Sequence, residues 1–493
     1  TAYEISLGLV GSEMCIRDSF IVFDEKGKVV AQHQEEFTQY LPDNVSVEHN
    51  PEEIWISVEN CINEVLKKVN KEEIQSIGIT NQRETTVAWS KSSGESLCNA
   101  IVWQDTRTQN ICDDIGKKKE LENEFSSTGL PISTYFSLSK IIWMIQNVEA
   151  VQTSLSKDDV CFGTIDSWLL YKLTNNFFTD VTNASRTLMY DINELDWNDT
   201  ILKSFSIPRT ALAEVRPSLS LFGDCVGILE GIPITAVLGD QQASLFGQNC
   251  IDKGGVKNTY GTGCFALTNT GNEIIKSNNG LLSTIAYQYG DNKPLYALEG
   301  SVAIAGAAVQ WLRDNLGIIK ESAEIESLAS EAEDNGDVYF VPAFSGLFSP
   351  HWDQSARGVI VGLSRFANKN HIARAVLESV AYQSYELLKS MEDDLGMKFE
   401  EVKVDGGMIE NNLLMQFQAD ILDKKIVAQP INEITAFGAA AAGYISVNNF
   451  EISDLSKFFI EAKTWSSEMD KDTRERYINK WSLAIEKSKN WIQ

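Results

Sequence analysis

The sequence predicts an α/β protein built as two similar halves facing a ligand cleft. At 493 residues the chain is too long for one ordinary core, so two domains of about 250 residues each are the natural division. Apolar strand-like runs alternate with amphipathic helical stretches along its length. Each half also holds a strand, a Gly/Asp corner and a helix in succession: VLGDQQ from Val237 to Gln242, and VDGGMIENN from Val404 to Asn412. No short period recurs, which excludes a solenoid.

In chain order, Pro51 to Asn70 repeats apolar residues at Ile54, Val58, Ile62, Val65 and Leu66, behind a proline and acids suited to a first turn, which predicts an amphipathic helix. Short strands are expected at Ser76 to Thr80, Thr86 to Trp89 and Ala100 to Trp103, and helices at Ser137 to Val148 and Asp166 to Leu173. Ile232 to Leu238 reads as a buried strand that stops at Gly239-Asp240 and turns into a helix from Gln241. The pattern then restarts, placing the boundary near Gly247 and dividing the chain into 1–247 and 248–493. Hairpin-like strands are expected between Lys257 and Leu298, helices at Ser301 to Leu316 and His371 to Asp394, a strand at Glu401 to Val404 and a helix at Asn411 to Leu422. GAAAAG, from Gly438 to Gly443, suits close helix packing. The tail from Asp470 reads as a surface helix that packs through Trp481, Leu483, Ile485 and Trp491.

The formal charge is −27, with no basic stripe to offset it, which argues against nucleic acid and anionic membranes as partners. Eight cysteines are irregularly spaced without a CxxC pair, the usage of a reducing compartment. His33, His49, His351 and His371 lack metal-ligand spacing. No run reaches membrane-spanning length and no signal peptide is evident, so the cytoplasm is expected.

Asp240 falls at a strand end, and a second strand end follows at Gly261-Thr262-Gly263, whose amides give close access to anionic oxygens. A carboxylate base beside a phosphate-accepting turn suggests phosphoryl transfer; the alternative is that Asp240 only caps its helix. Arg83 and Glu84, in Asn81-Gln82-Arg83-Glu84-Thr85-Thr86, offer a donor fork and an acceptor that suit a polyol, or else a surface ion pair. Trp103, Tyr135 and Phe265 supply rings for the C–H faces of such a substrate, unless each is ordinary core. Asp405-Gly406-Gly407 with Asn411 reads as a backbone approach to a purine or phosphate, or as a plain tight turn.

Together NQRETT, NAIVWQDTRT, FGTIDSWLLYKLT, TNASRT, GDQQASLFGQ, NTYGTGCF, YALEGSV, GLFSPHWDQSARG, VDGGMIENNLLMQFQAD and EITAFGAAAAG resemble, in order and spacing, the glycerol-kinase branch of the FGGY carbohydrate kinases, over about Phe20 to Gln493. The resemblance implies two RNase H-like domains, as in actin-like ATPases, around an interdomain cleft. It implies ATP-dependent phosphorylation of glycerol to sn-glycerol 3-phosphate, with Asp240 as general base. Arg83, Glu84, Trp103, Tyr135, Asp240, Gln241 and Phe265 match the family's glycerol site, and Thr262, Gly306, Gln310, Gly407 and Asn411 its nucleotide contacts. Mg²⁺ is expected with ATP, held largely through phosphates and water rather than by protein ligands. A homo-oligomer, dimer or tetramer, is also implied. Two readings stay open beside it: a kinase for another small polyol or ketose, and a glycerol-binding relative without turnover.

The likeness breaks at Thr1 to Ser19. The family opens with a strand and a phosphate loop of the form D-x-G-T-T-S-x-R, which this segment lacks, and LVGSEMCIRDS looks like a translated sequencing-adapter remnant. Arg17 falls two positions off the register set by Asp24, so no phosphate role is carried to it, although Tyr3, Ile5, Leu7 and Leu9 alternate as a strand would. The segment Gly223 to Pro233 is shorter than the glycine-rich loop of relatives regulated by fructose 1,6-bisphosphate and has no basic residue, which argues against that inhibition.

Overall fold

A computed structural model describes residues 3–8, 17–344, 346–431, 433–459 and 462–492. Two sheets dominate it. The first runs in the order Leu219–Asp224, Pro233–Gly239, Ile74–Asn81, Tyr3–Gly8, Arg17–Asp24, Val29–Glu36. Its centre is parallel, Pro233–Gly239 beside Ile74–Asn81 beside Tyr3–Gly8, and its outer pairs are antiparallel.

The second sheet runs Leu282–Tyr287, Leu295–Val302, Cys264–Gly271, Val256–Tyr260, Glu401–Asp405, Lys425–Ala428, Lys463–Trp465. An antiparallel meander again leads into two parallel pairings and an antiparallel edge. The halves therefore repeat one topology, as the paired strand–corner–helix signals suggest.

Alternation explains how the first sheet is covered. Phe20 and Val22 pack on the side of the helix Pro51–Leu66, while Ile21 and Phe23 pack with residues of the helix Ile434–Asn448. The first helix is capped by Asn50, whose side chain accepts from the Glu52 amide at 2.9 Å. Ile434–Asn448 reaches back from late in the chain onto this sheet, and small residues permit the approach. A Cβ on Gly78 would lie 2.0 Å from the Ala439 carbonyl oxygen, and one on Gly438 would lie 1.9 Å from that of Ala243.

Most expected elements are present with shifted ends. Ala100–Ile101 is a two-residue strand. The helix expected from Ser301 starts at Gly306, because the preceding strand continues to Val302 in register with Cys264. Trp481 and Ile485 are buried on the helix Lys471–Ser488, but Leu483 and Trp491 are 60 % and 67 % exposed and do not pack as expected. Tyr3–Gly8 does form the first strand; Leu9, and most of the stretch that replaces the phosphate loop, lies outside the described residues. The seven described cysteines are free, and among the described residues no helix is long and apolar enough to cross a membrane.

Candidate active site

Strand ends from both sheets converge around Asp240. Pro233–Gly239 stops at a glycine because Arg83 crosses there: a Cβ on Gly239 would fall 2.6 Å from Arg83 Cδ. Asp240 opens the helix Asp240–Gly247 with its side chain 24 % exposed. It does not act as an N-cap, a position that Gly239 holds. Its Oδ1 accepts from the Gln241 amide at 2.8 Å and stands 3.1 Å from Arg83 Nε.

The Arg83/Glu84 dipeptide is buried, which removes the surface-ion-pair reading. Its two charges are 4.0 Å apart at their closest and each has a better partner elsewhere. Arg83 donates through Nη1 to Glu299 Oε2 at 2.6 Å and through Nη2 to Glu299 Oε1 at 2.9 Å. Glu84 accepts from Arg186 Nε at 2.6 Å, and Arg186 Nη2 also reaches Glu299 Oε1 at 3.2 Å. Two guanidiniums and two carboxylates thus form a closed network. Glu84 holds a left-handed backbone, φ 61°, which turns its side chain out of the strand direction at a cost that packing must offset.

Burial opposes charge throughout this network and the partners decide the outcome. Burial pushes the Glu299 carboxyl up, but Arg186 and Arg83 outweigh it and hold the group down at about 2. For Glu84 burial prevails, and its carboxyl is raised despite Arg186 and Arg83. Arg83 Nε faces Asp240 Oδ1, whereas Arg186 Nη1 is buried without a hydrogen-bond acceptor, so the network retains a donor that a ligand hydroxyl could satisfy.

The three rings expected to form an apolar wall do meet. Trp103 packs edge-to-face on Tyr135, centroids 5.5 Å apart, and on Phe265 at 6.4 Å. All three are half-buried, as rings facing a cleft would be. The Tyr135 loop is held by the buried Lys140, whose Nζ donates to the carbonyls of Thr134, Tyr135 and Phe136 at 3.0, 2.5 and 3.4 Å.

Gln241 links this pocket to the second sheet. Its Oε1 accepts from the buried Lys257, which also donates to Thr259 Oγ1 at 2.8 Å. Burial pulls the Lys257 ammonium down, against Asp405, Asp240 and Glu299, which pull it up. Asp405, the last residue of its strand, accepts from Ser244 Oγ at 2.8 Å, on the Asp240 helix, and from Gln248 Nε2 at 3.0 Å, just past that helix's end.

Residues expected to meet a nucleotide gather at the Gly261-Thr262-Gly263 turn. The Gly261 amide is used within the turn, donating to Gly263 O at 2.8 Å. The turn's carbonyls instead receive the start of the helix Gly306–Asp314: Gly306 N reaches Gly261 O at 3.0 Å, and Ala307 N reaches Thr262 O at 3.1 Å. Gln310 lies one turn beyond Gly306 on the same face. Gly406 needs its φ of 94°, since a Cβ there would lie 2.3 Å from Tyr260 O, whereas a Cβ on Gly407 would meet nothing within 4 Å. That opening beside a tight turn fits a planar or anionic ligand. Asn411 caps Asn412–Leu422 through its Oδ1, which accepts from Leu414 N at 2.9 Å, and its amide nitrogen makes no bond among the described residues.

Sequence reasoning missed Glu299, Arg186, Lys257 and Lys140. Each was visible only as a charged residue in an otherwise uncharged run, GSV after Glu299, TNAS before Arg186 or YFSLS before Lys140, with nothing local to name its partner.

Comparison with known proteins finds relatives over nearly the whole chain. Residues 17–247 match the N-terminal domain, and residues 256–447 the C-terminal domain, of the FGGY family of carbohydrate kinases. A glycerol kinase of Brucella anthropi is 49 % identical, covering 96 % of this chain and 97 % of its own. One from Chloroflexus aggregans is 48 % identical, with coverage of 96 % and 97 %. The crystal structure of Plasmodium falciparum glycerol kinase with ADP superposes with a TM-score of 0.92 at 36 % identity, covering 100 % of this chain and 98 % of that one. A ligand-bound xylulose kinase from Lactobacillus acidophilus, 20 % identical, shares the fold with a TM-score of 0.87, covering 98 % of this chain and 97 % of its own.

Proposed function

The chain belongs to the FGGY family of carbohydrate kinases, and from that premise we propose that it phosphorylates glycerol with ATP, giving sn-glycerol 3-phosphate. The observation that carries the substrate is the small polar nest walled by Trp103, Tyr135 and Phe265, in which Arg186 Nη1 lacks an acceptor and Arg83 Nε faces the part-exposed Asp240. A three-carbon polyol has hydroxyls for the nest and C–H faces for the rings. Relatives named glycerol kinase across 96 % of the chain support the same reading.

Asp240, at the mouth of the nest, takes the proton from the terminal hydroxyl as its oxygen attacks the γ-phosphorus; the bond to the bridging oxygen breaks and ADP leaves. Arg83 and Glu84 orient the hydroxyls, with Gln241 beside them. ATP lies against the Gly261-Thr262-Gly263 turn, Gly306, Gln310, Gly407 and Asn411. Mg²⁺ enters as part of the nucleotide substrate, held through phosphates and water, and neutralises charge on the transferring group. In this reading residues 1–247 present glycerol and 248–493 the nucleotide. The chain works in the cytoplasm, consistent with its free cysteines, and assembles as a homo-oligomer.

The test is a panel of glycerol, erythritol, xylulose and gluconate with MgATP, scored as kcat/KM together with calorimetric binding. Glycerol should exceed every other substrate by at least about 10²-fold. A preferred ketose would move the chain to another branch of the family, and glycerol binding with no ATP consumption under any condition would make it a non-catalytic relative.

A further inference from the structure

The hairpin Arg17–Asp24/Val29–Glu36 pairs Asp18 with Glu35 and Phe20 with His33, so these four residues share the face covered by the helix Pro51–Leu66. Ser57 and Cys61, one turn apart on that helix, meet them: Ser57 Oγ donates to Asp18 Oδ2, and Cys61 Sγ lies 3.8 Å from the Asp18 carbonyl oxygen. The ligand atoms of His33, Glu35 and Cys61 all fall within 4.8 Å of one another. Asp18 is 1 % exposed, and its Oδ1 is buried without any hydrogen-bond partner beside this trio.

We propose that His33, Glu35 and Cys61 form a binding site for a borderline divalent cation, Zn²⁺ by preference, that fastens the first hairpin to the helix behind it.

A nitrogen, a carboxylate oxygen and a sulfur are the donors that Zn²⁺ accepts, at about 2.0–2.3 Å from the ion. Such ligands stand roughly 3.3–3.8 Å apart around a tetrahedron, a contraction that side-chain rotation supplies. Asn60 Nδ2 already donates to Glu35 Oε1 at 3.0 Å and leaves the other oxygen for the ion. His33 and Glu35 are half-buried, which gives the ion a path in, while Cys61 is fully buried. Binding forms one Zn–S bond and releases the thiol proton to solvent. None of the three ligands is among the residues placed at the phosphotransfer site, so the site is separate from that chemistry.

Titration of the full chain with Co²⁺ alone, followed by thiolate-to-cobalt charge-transfer absorption and displacement with Zn²⁺, tests the site. One equivalent should bind, the band should vanish in Cys61→Ser and persist in Cys98→Ser, and His33→Ala should weaken binding by more than the ~10–100-fold that loss of an outer-sphere partner costs. His33 is half-buried, so its variant decides the matter if Cys61→Ser does not fold. Absence of the band in the unsubstituted chain, its survival in folded Cys61→Ser, or a smaller loss in His33→Ala would overturn the proposal.

Discussion

Arg83 and Glu299 stand 216 residues apart and meet as a two-pronged ion pair, at 2.6 and 2.9 Å. One follows the strand Ile74–Asn81 of the first sheet; the other lies within Leu295–Val302 of the second. The contact therefore joins the halves at the cleft, and Arg186, reaching both Glu84 and Glu299, doubles it. A buried pair of this kind adds little over apolar packing when intact, but removing one partner leaves charge stranded in the interior.

Glu299 should make the chain acid-sensitive in a defined window. Its folded pKa is about 2, below the ordinary ~4.3 of a glutamate, because Arg186 and Arg83 outweigh burial. A depressed carboxylate contributes stability fully above the unfolded value, and that contribution fades as pH falls from about 4.5 toward 2, a loss on the order of 3 kcal/mol. Urea unfolding of the chain and of Glu299→Gln at about pH 5 and pH 3 checks this. The variant should be less stable by roughly 3–5 kcal/mol at the higher pH and approach the unsubstituted chain at the lower one; parallel pH profiles would rule out this linkage.

Asp240→Asn should abolish phosphotransfer and leave glycerol affinity within a few-fold. The amide keeps the volume and most contacts at the corner but cannot take the hydroxyl proton, a role worth typically 10²–10⁴-fold in rate. Turnover and calorimetric binding separate the two. Retention of more than about a tenth of turnover, a barrier change of only ~1.4 kcal/mol, would remove Asp240 from the role of base.

What could be read in advance followed from local chemistry. The corner at Asp240, the Gly406 turn and the small stripe through Gly438 were legible because each needs particular residues next to one another in the chain. The surface-or-site question at Arg83 was not, since the answer is Glu299, contributed by another sheet and by a strand pattern in which one acid looks like noise. Lys140 was hidden for the same reason: its partners are carbonyls of a loop, which carry no signature. Leu483 and Trp491 looked like packing residues by type, yet the helix Lys471–Ser488 buries the stripe of Trp481, Ala484, Ile485 and Ser488 instead.

Lys140→Met should raise KM for glycerol with little change in KM for ATP. Three carbonyls lose their donor, and the loop carrying Tyr135 loses the clamp that sets its ring against Trp103. Methionine fills much of the space, so folding is kept while each unpaired carbonyl costs about 1 kcal/mol or more. Steady-state kinetics should show a rise of about tenfold for glycerol. An equal rise for ATP would mean that the whole cleft had shifted and that Lys140 does not specifically set the ring.

Gly438→Ala should destabilise the chain through contact alone. The added methyl would start 1.9 Å from Ala243 O and 2.9 Å from Gly247 N, both backbone atoms that can yield only if Ile434–Asn448 moves off the Asp240 helix. A cost of at least about 1–3 kcal/mol follows. Gly116→Ala is the control, because its Cβ meets nothing within 4 Å and alanine favours the helix Gln109–Gly116 by up to ~1 kcal/mol. Denaturant midpoints should move in opposite directions; a neutral Gly438→Ala would show that the helix pair has slack.

Replacing Thr1 to Ser19 with a segment of the FGGY form, a strand leading into D-x-G-T-T-S-x-R, should raise turnover without changing glycerol affinity. The strand itself is in place, since Tyr3–Gly8 pairs in parallel with Ile74–Asn81 and antiparallel with Arg17–Asp24. Arg17 does not supply the missing cation: it lies in the second strand, donates to Gln34 Oε1 at 3.1 Å and faces Glu36 at 3.7 Å. The glycerol contacts proposed at Arg83, Glu84, Tyr135, Asp240 and Phe265 all lie outside the segment, so binding should be equal in the two chains. The transferring phosphoryl group, in contrast, gains amides, hydroxyls and an arginine, and one arginine alone is worth about 10³-fold or more at such a centre. Calorimetry with glycerol and measurement of glycerol 3-phosphate formation give the two readouts. Equal turnover would mean that the described residues already position the phosphates, and that the turn at Gly261-Thr262-Gly263 and the start of the helix Gly306–Asp314 suffice for transfer.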